Sequence, residues 1–119
     1  MQNQEIAQKL QSFISSGDYE NAYDQLFDQN AVAIEPQLSH LNFGEVTGLE
    51  AIKRKVNALG EHISELISRE LSEPIVTNTH IAFTNIVHGK MKNEEEFRMS
   101  EICLYEVKNG KIVKEEFIY

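Results

Sequence analysis

The chain has 119 residues, 41% of them hydrophobic and 25% charged, which suits one soluble globular domain with a sizeable core. Its formal net charge of −8 argues against a nucleic-acid partner, because phosphate is bound by clustered Lys and Arg side chains. Cys103 is the single cysteine, so no intrachain disulfide forms, and the N-terminus does not resemble a signal peptide. Both features favour the cytoplasm. No apolar stretch is long enough to cross a bilayer, so we expect no membrane partner.

The N-terminal segment predicts two consecutive helices. A spacing of i, i+4, i+7 and i+8 predicts the buried face of the first, formed by Ile6, Leu10, Phe13 and Ile14. Residues 15–17, Ser-Ser-Gly, end this helix, and Asp18 caps the second. The predicted buried face of the second helix consists of Tyr19, Ala22, Tyr23, Leu26 and Phe27.

The stretch AVAIEP, residues 31–36, predicts a short buried strand that ends at Glu35. Pro36 stops the strand because it has no amide hydrogen to donate. Residues 37–46 are predicted to form an irregular loop. Glu35 is therefore either a base that faces a cavity or an acid at a solvated strand end.

A third helix is predicted to begin after Thr47, because Thr47 and Glu50 have the spacing of a capping box. Gly60 ends it. Its basic run at residues 53–55, Lys-Arg-Lys, is interpreted as a solvent-exposed face. The predicted buried stripe consists of Leu49, Ile52, Val56 and Leu59.

The C-terminal half is predicted to form strands. Residues 61–73 fit either a helix or a strand. Residues 81–87 are rich in β-forming side chains, and residues 97–107 alternate between apolar and polar. Helices followed by a run of antiparallel strands predict the α+β class.

The last hairpin determines which side chains share a sheet face. A two-residue turn at Asn109 and Gly110 would place Lys108 opposite Lys111, and like charges directly opposite each other are unfavourable. A three-residue turn that pairs Val107 with Lys111 is therefore predicted. The inward-facing set is then Met99, Glu101, Cys103, Tyr105, Val113, Glu115, Phe117 and Tyr119. The outward-facing set is Ser100, Ile102, Leu104, Ile112, Lys114, Glu116 and Ile118.

This register makes Glu101 and Glu115 diagonal neighbours, with backbones roughly 7–8 Å apart. Two carboxylates that close in a semi-enclosed site raise the pKa of one of them, which provides an acid near neutral pH. The alternative is that both are strand-edge acids in water, since Glu is rarely buried.

The order of elements resembles the NTF2-like superfamily and, within it, the SnoaL-like domains related to polyketide cyclases. The most specific parts are residues 16–18, the helix start at residues 46–52 and the hairpin at residues 105–119. The resemblance covers residues 1–119 as a single domain. It implies a cone-shaped, cystatin-like fold with N-terminal helices packed on a curved antiparallel sheet, a small-molecule pocket in the cone, and homodimers through the outer sheet face.

Compared with the ketosteroid isomerase branch, AVAIEP falls where that family has a strand ending in its catalytic Asp-Pro. The resemblance therefore implies that Glu35 is the general base. The oxyanion donors of that branch are absent, because their positions fall at about Leu10 and at Cys103. Each missing donor forfeits on the order of 3–4 kcal/mol of transition-state stabilisation, so a steroid-type enolisation is not expected.

The candidate ligand contacts are Tyr19, Tyr23, Phe83, Cys103, Tyr105, Phe117 and Tyr119. The alternative for the aromatic residues is the protein core, and for Cys103 it is the role of a small buried hydrophobe. The histidines show no metal-ligand spacing and glycine-rich phosphate loops are absent, so no metal, nucleotide or other cofactor is expected.

Two functions therefore stand side by side, because the superfamily hosts isomerases, dehydratases and cyclases as well as modules without chemistry. One is a small-molecule-binding homodimer with acid–base chemistry by Glu35, Glu101 and Glu115. The other is a non-catalytic dimer or interaction module whose cone is filled by its own side chains.

Overall fold

A computed structural model describes residues 1–35 and 44–119. The helices are α1 (Asn3–Ser16), α2 (Tyr19–Leu26) and α3 (Leu49–Gly60). The strands are β1 (Phe27–Ile34), β2 (Glu45–Thr47), β3 (Ile63–Leu71), β4 (Ile75–Val76), β5 (His80–Met91), β6 (Glu96–Lys108) and β7 (Lys111–Ile118). Pro36 and most of the predicted loop lie outside the described residues, whereas residues 45 and 46 of that loop belong to β2.

The described strands form one mixed sheet in the order β2-β1-β7-β6-β5-β3, with β4 paired to β5. Its pairs are antiparallel except for β1 and β7, which run parallel. The predicted α+β class is confirmed. Within the described ranges, no helix is long and apolar enough to cross a membrane. The core joins the helices to the sheet and includes Ile6, Leu10, Ala22, Leu26, Ile52, Ile81, Tyr105 and Ile112.

The two N-terminal helices follow their predicted signals. Gly17 adopts a left-handed conformation with φ 74° after α1, which a residue without a Cβ accepts at no steric cost. The Asp18 carboxylate accepts a hydrogen bond of 3.2 Å from the Asn21 backbone amide and caps α2. Phe27, predicted as helical, is instead the first residue of β1.

The predicted capping box at the start of α3 is wrong. Thr47 pairs with Val32 as the last residue of β2, so it is not in the N-cap position. Gly48 takes that position with φ 92°, and its amide donates a 2.8 Å hydrogen bond to the Ala31 carbonyl. The short strand therefore holds Thr47 in an extended conformation.

The ambiguous segment at residues 61–73 contains β3, an edge strand that pairs with β5. Most of its side chains are exposed on both faces, so neither face carries the alternation that identifies a half-buried strand. The pairing with β5 decides its conformation.

The predicted register of the last hairpin is also wrong. Asn109 and Gly110 both have positive φ, 52° and 75°, as a two-residue type I′ turn requires, and Lys108 pairs with Lys111. The like-charge pair is tolerated because Lys108 extends into water with its side chain 68% exposed. The Lys111 ammonium donates a hydrogen bond of 3.1 Å to the Gln25 carbonyl.

A bulge next to this turn changes which side chains face inward. Val107 pairs with Ile112 and Glu106 with Lys114, so Val113 is the extra residue between the two pairs. Ile112 is therefore buried in the core, and Val113 lines a depression on the outer side of the sheet. The predicted orientations of these two residues are wrong. Beyond the bulge, the odd-numbered side chains face inward as predicted.

Replacing Gly89 by alanine should destabilise the fold by about 1–3 kcal/mol. A Cβ at Gly89 would lie 2.7 Å from ring atoms of Phe97 and 2.8 Å from the Glu65 carbonyl oxygen. Urea unfolding would measure the loss. Gly60→Ala is the matched control: its Cβ meets no atom within 4 Å, and alanine favours a helix, so stability should stay equal or rise. Equal stability of wild type and Gly89→Ala would contradict the packing described.

Candidate functional site

A cavity of about 550 Å³ lies between the helices and the inward face of the sheet. Its wall is mostly apolar, with a few polar side chains that point into it. A second depression of about 640 Å³ lies on the outer side, lined by β1 and the β6–β7 hairpin. That depression is open to solvent and charged along its edge, so the inner cavity is the better candidate for a ligand site.

The predicted site residues lie around this cavity with one exception. Phe83 packs behind it, with its ring stacked on Tyr105 at a centroid distance of 5.7 Å, so it belongs to the core. The residues that line the cavity are Glu35, Glu101, Glu115, Tyr19, Tyr23, Cys103, Tyr105, Phe117 and Tyr119.

The strand register places the two sheet acids at different depths. Glu115 is opposite Tyr105, whereas Glu101 is opposite Asn85 and four residues further along β6, which corresponds to ~13 Å of strand. The prediction that Glu101 and Glu115 are diagonal neighbours is therefore wrong. The two-residue turn and the bulge at Val113 each shift β7 by one position, so the pairing beyond the bulge differs by two residues from the prediction. Each acid therefore has its own surroundings.

Glu115 lies at the inner end and is 2% exposed. The Tyr23 hydroxyl donates a hydrogen bond of 3.0 Å to its Oε1 atom. Burial raises the pKa of Glu115 to about 7, although the charge of Lys55 and the hydrogen bond from Tyr23 oppose this shift. The carboxyl group can therefore be protonated or ionised near neutral pH.

Glu101 is held by the neighbouring strand. The Asn85 side-chain amide donates a hydrogen bond of 3.0 Å to Glu101 Oε1, and the Cys103 thiol lies 3.7 Å from the same oxygen. Burial raises the pKa of Glu101 and, more strongly, that of the Cys103 thiol. Cys103 therefore remains a neutral thiol at physiological pH and is a poor nucleophile.

Glu35 forms an ion pair with Lys55, with 3.0 Å between Oε1 and Nζ. The two side chains are 8% and 2% exposed, so Glu35 is not a solvated strand end. The Tyr119 hydroxyl donates a hydrogen bond of 3.2 Å to the other oxygen of Glu35, and the Lys55 ammonium lies 5.3 Å from the Phe117 ring centroid. Such a buried pair is stabilising only while both partners are present, since removal of one costs ~3–5 kcal/mol.

The interpretation of residues 53–55 as a solvated face is wrong for Lys55. Lys55 follows Ile52 by three residues and lies on the same buried face of α3. This spacing was the available signal for its burial, but the partner across the cavity was not evident from the sequence. Lys53, by contrast, forms ion pairs with Glu20 and Asp24 on α2.

Arg69 and Asn85 also line the cavity and were missed by the sequence analysis. Arg69 lies in the ambiguous segment, and its Nη1 atom donates a hydrogen bond of 2.7 Å to the Ile14 carbonyl. Asn85 has the same strand parity as the buried residues of β5, so parity alone could have placed it inward.

Three buried polar atoms next to the cavity have no hydrogen-bond partner among the described residues: Lys55 Nζ, Arg69 Nε and Asn85 Oδ1. Lys55 Nζ contacts Glu35, but the geometry is that of an ion pair and not of a directed hydrogen bond. Buried polar atoms in proteins are usually paired, so these atoms are candidates to contact a bound molecule. Within the described ranges, no three His, Cys, Asp or Glu side chains are grouped to hold a metal.

The family model of the SnoaL-like domain matches residues 1–119. This chain belongs to the SnoaL-like domain family. Comparison with curated proteins finds no match.

Solved structures agree with this assignment. A protein from Mesorhizobium loti, provisionally named a SnoaL-like polyketide cyclase [carbohydrate phosphatase], is 27% identical with a TM-score of 0.88, and the match covers 100% of both chains. An NTF2-like protein from Burkholderia pseudomallei is 15% identical with a TM-score of 0.84, over 98% of this chain and 89% of its own. TerC, co-crystallised with polyporic acid, is 13% identical with a TM-score of 0.80, over 98% and 90%. The NTF2-like fold is thereby confirmed.

In this SnoaL-like domain, the free energy of unfolding should fall less steeply with rising pH in the Glu115→Gln variant than in wild type. The pKa of Glu115 is about 7 in the folded protein against an ordinary value of 4.5, so between these values the folded state holds a proton that the unfolded chain has released. The stabilisation that this proton provides is complete at pH values below the ordinary pKa of 4.5. It is lost as the pH rises through about 7.

The measurement is urea unfolding of wild type and variant at about pH 5 and about pH 8, on either side of this transition. The difference in stability between the two pH values should be smaller in Glu115→Gln. Glu116→Gln makes the same chemical change on the outer side of β7 and should keep the wild-type difference. An identical pH dependence in wild type and Glu115→Gln would show that Glu115 is not buried as described.

Proposed function

We propose that this protein binds a hydrophobic, carbonyl-bearing small molecule in the cavity and performs acid–base chemistry on it, of the isomerase, dehydratase or cyclase type. The observation that carries the proposal is an apolar cavity with three glutamates, each held by a different partner. Carboxyl groups in unlike surroundings can serve as acid and base within one site.

Glu35 is the proposed general base. Its position at the end of β1, contacts with Lys55 and Tyr119, and low exposure hold the carboxylate at the cavity wall. Lys55 Nζ has donors without a hydrogen-bond partner among the described residues, so it can stabilise negative charge on a carbonyl oxygen as the proton is removed. This group would supply the donor that the positions of Leu10 and Cys103 lack.

Glu115 is the proposed acid. Its pKa of about 7 means that both protonation states are populated near neutral pH, which suits a group that gives and takes a proton. Tyr23 positions the carboxyl group through its 3.0 Å hydrogen bond. Glu101, with its raised pKa and its bond to Asn85, is the second candidate for this role.

The relatives support a ligand function. TerC was co-crystallised with a small molecule, and the Mesorhizobium loti protein bears the name of a cyclase. A non-catalytic module with a filled cone is less well supported, because the described residues leave a cavity of about 550 Å³.

Proton abstraction can be tested before the substrate is known. Ketones that raise the melting temperature would be incubated with the protein in D₂O, and deuterium uptake next to the carbonyl would be followed by NMR. Wild type should accelerate the exchange, and Glu35→Gln should slow it by on the order of 10²–10⁴-fold. Glu116→Gln should exchange at the wild-type rate. The proposal fails if wild type gives no more exchange than buffer, or if Glu35→Gln and Glu115→Gln both match wild type.

We also propose that the protein forms homodimers through the outer sheet face. Ile86, Ile102 and Ile118 are 44%, 46% and 45% exposed on this face, and Ile102 pairs directly with Ile118. Neighbouring exposed apolar side chains of this kind favour association with a second surface.

Ile102→Lys should therefore convert the dimer into a monomer, as measured by size-exclusion chromatography with light scattering. Gln8→Lys adds the same charge on the exposed side of α1 and should leave the dimer intact. A wild-type monomer at all concentrations, or a dimeric Ile102→Lys variant, would contradict this interface.

A further inference from the structure

The cavity changes character along the strands. Beyond the level of Asn85 and Glu101, the next inward-facing pair is Val87 with Met99, and the one after it is Gly89 with Phe97. At the end of the sheet, Met91 pairs with Ile63 of β3. The apolar residues that line this outer part of the cavity are Ile63, Leu66, Val87, Met91, Phe97 and Met99, and we refer to them as the apolar extension.

Most polar groups lie on the other side of this boundary; His62, next to Ile63 at the outer end, is a polar residue of the outer wall. The three glutamates contact their partners among the described residues at the level of Glu101 or deeper in the cavity. These glutamates are Glu35, Glu101 and Glu115. Arg69 pairs with Val87 at the first level of the apolar extension, but its hydrogen bond to the Ile14 carbonyl and its position 5.7 Å from the Tyr19 ring turn it toward the helices. The cavity therefore has a polar inner part and a mostly apolar outer part.

The apolar extension leaves hydrocarbon surface uncovered. β7 ends at Ile118, so β3, β5 and β6 continue without it. Leu66, which lines the cavity, is 47% exposed. Covering such a surface with hydrocarbon is favourable, by roughly 25 cal/mol for each Å² removed from water. Methionine side chains adapt to the shape of what they contact, and two of them face this space.

We propose that the ligand is an elongated amphipathic molecule, with a carbonyl head among the acids and an apolar tail along the apolar extension. Glu101 and Phe97 are four residues apart on β6, which sets the length of the tail at ~13 Å or more. The assignment of the carbonyl head rests on the proposed function. The assignment of the apolar tail rests only on the residues of the apolar extension. The two parts can therefore fail separately.

The test is isothermal titration calorimetry of the protein with straight-chain methyl ketones of increasing length. Each added methylene that enters the apolar extension should tighten binding about fourfold, which corresponds to ~0.8 kcal/mol. The gain should stop once the chain reaches the end of the extension. A dissociation constant that does not change with chain length, or the absence of binding by every ketone, would overturn the proposed tail site.

Matched variants locate the effect. Met99→Asp places a charge in the apolar extension and should remove the gain for long ketones while short ones bind as before. Gln8→Asp is the control, since it adds the same charge on the exposed side of α1, away from the cavity and from the outer sheet face. Leu66→Asp is a second variant, for use if Met99→Asp does not fold. It lies at an exposed position of an edge strand and should weaken the binding of only the longest ketones. Unchanged binding of long ketones by folded Met99→Asp or Leu66→Asp would overturn the assignment.

The result separates this inference from the proposed function. A steep dependence on chain length without deuterium exchange supports the tail site and rejects acid–base chemistry. Deuterium exchange on short ketones without any dependence on chain length supports the chemistry and rejects the tail site.

Discussion

The pairing of β6 with β7 determines most of what this protein can do, because these strands supply two of the three cavity glutamates. A tight Asn109-Gly110 turn sets the pairing, and the bulge at Val113 then restores the parity that directs Glu115 inward. A slip of one residue would expose every inward side chain of a strand, so register and site are inseparable. The turn also separates Glu101 from Glu115 and leaves each acid to be controlled by its own neighbours.

Burial of charge in an apolar cavity is the second constraint. A carboxylate that is buried away from water must form an ion pair, accept hydrogen bonds or become protonated. Glu35 is paired with Lys55, Glu101 accepts a hydrogen bond from Asn85, and Glu115 has a pKa raised by burial to about 7. Apolar side chains at these positions would stabilise the fold at least as well, since a buried ion pair seldom contributes more stability than a well-packed apolar pair. Their concentration in one cavity is the physical reason to regard it as a functional site.

The division of the cavity follows from strand lengths. β7 ends at Ile118, whereas β5 and β6 continue to their connecting turn and carry an apolar wall past the acids. A reactive polar region and an adjoining apolar region can divide the tasks of chemistry and affinity, because hydrocarbon contacts bind a ligand without taking part in the reaction.

Local signals in the sequence were sufficient for much of the fold. The apolar spacing of α1, the left-handed Gly17, the Asp18 cap and the alternation in β6 are each decided within a few residues, and the whole pattern identified the SnoaL-like family. The resemblance to the isomerase branch pointed to Glu35, and strand alternation put Glu101 and Glu115 on the inward face, although the register predicted for the last hairpin was wrong. What could not be read locally were interactions between distant segments. Thr47 lost its capping role to strand pairing, β3 is a strand because β5 pairs with it, and two lysines face each other because water surrounds them. The burial of Lys55 and the raised pKa of Glu115 likewise exist only in the folded chain, since both depend on the removal of water by elements far apart in sequence.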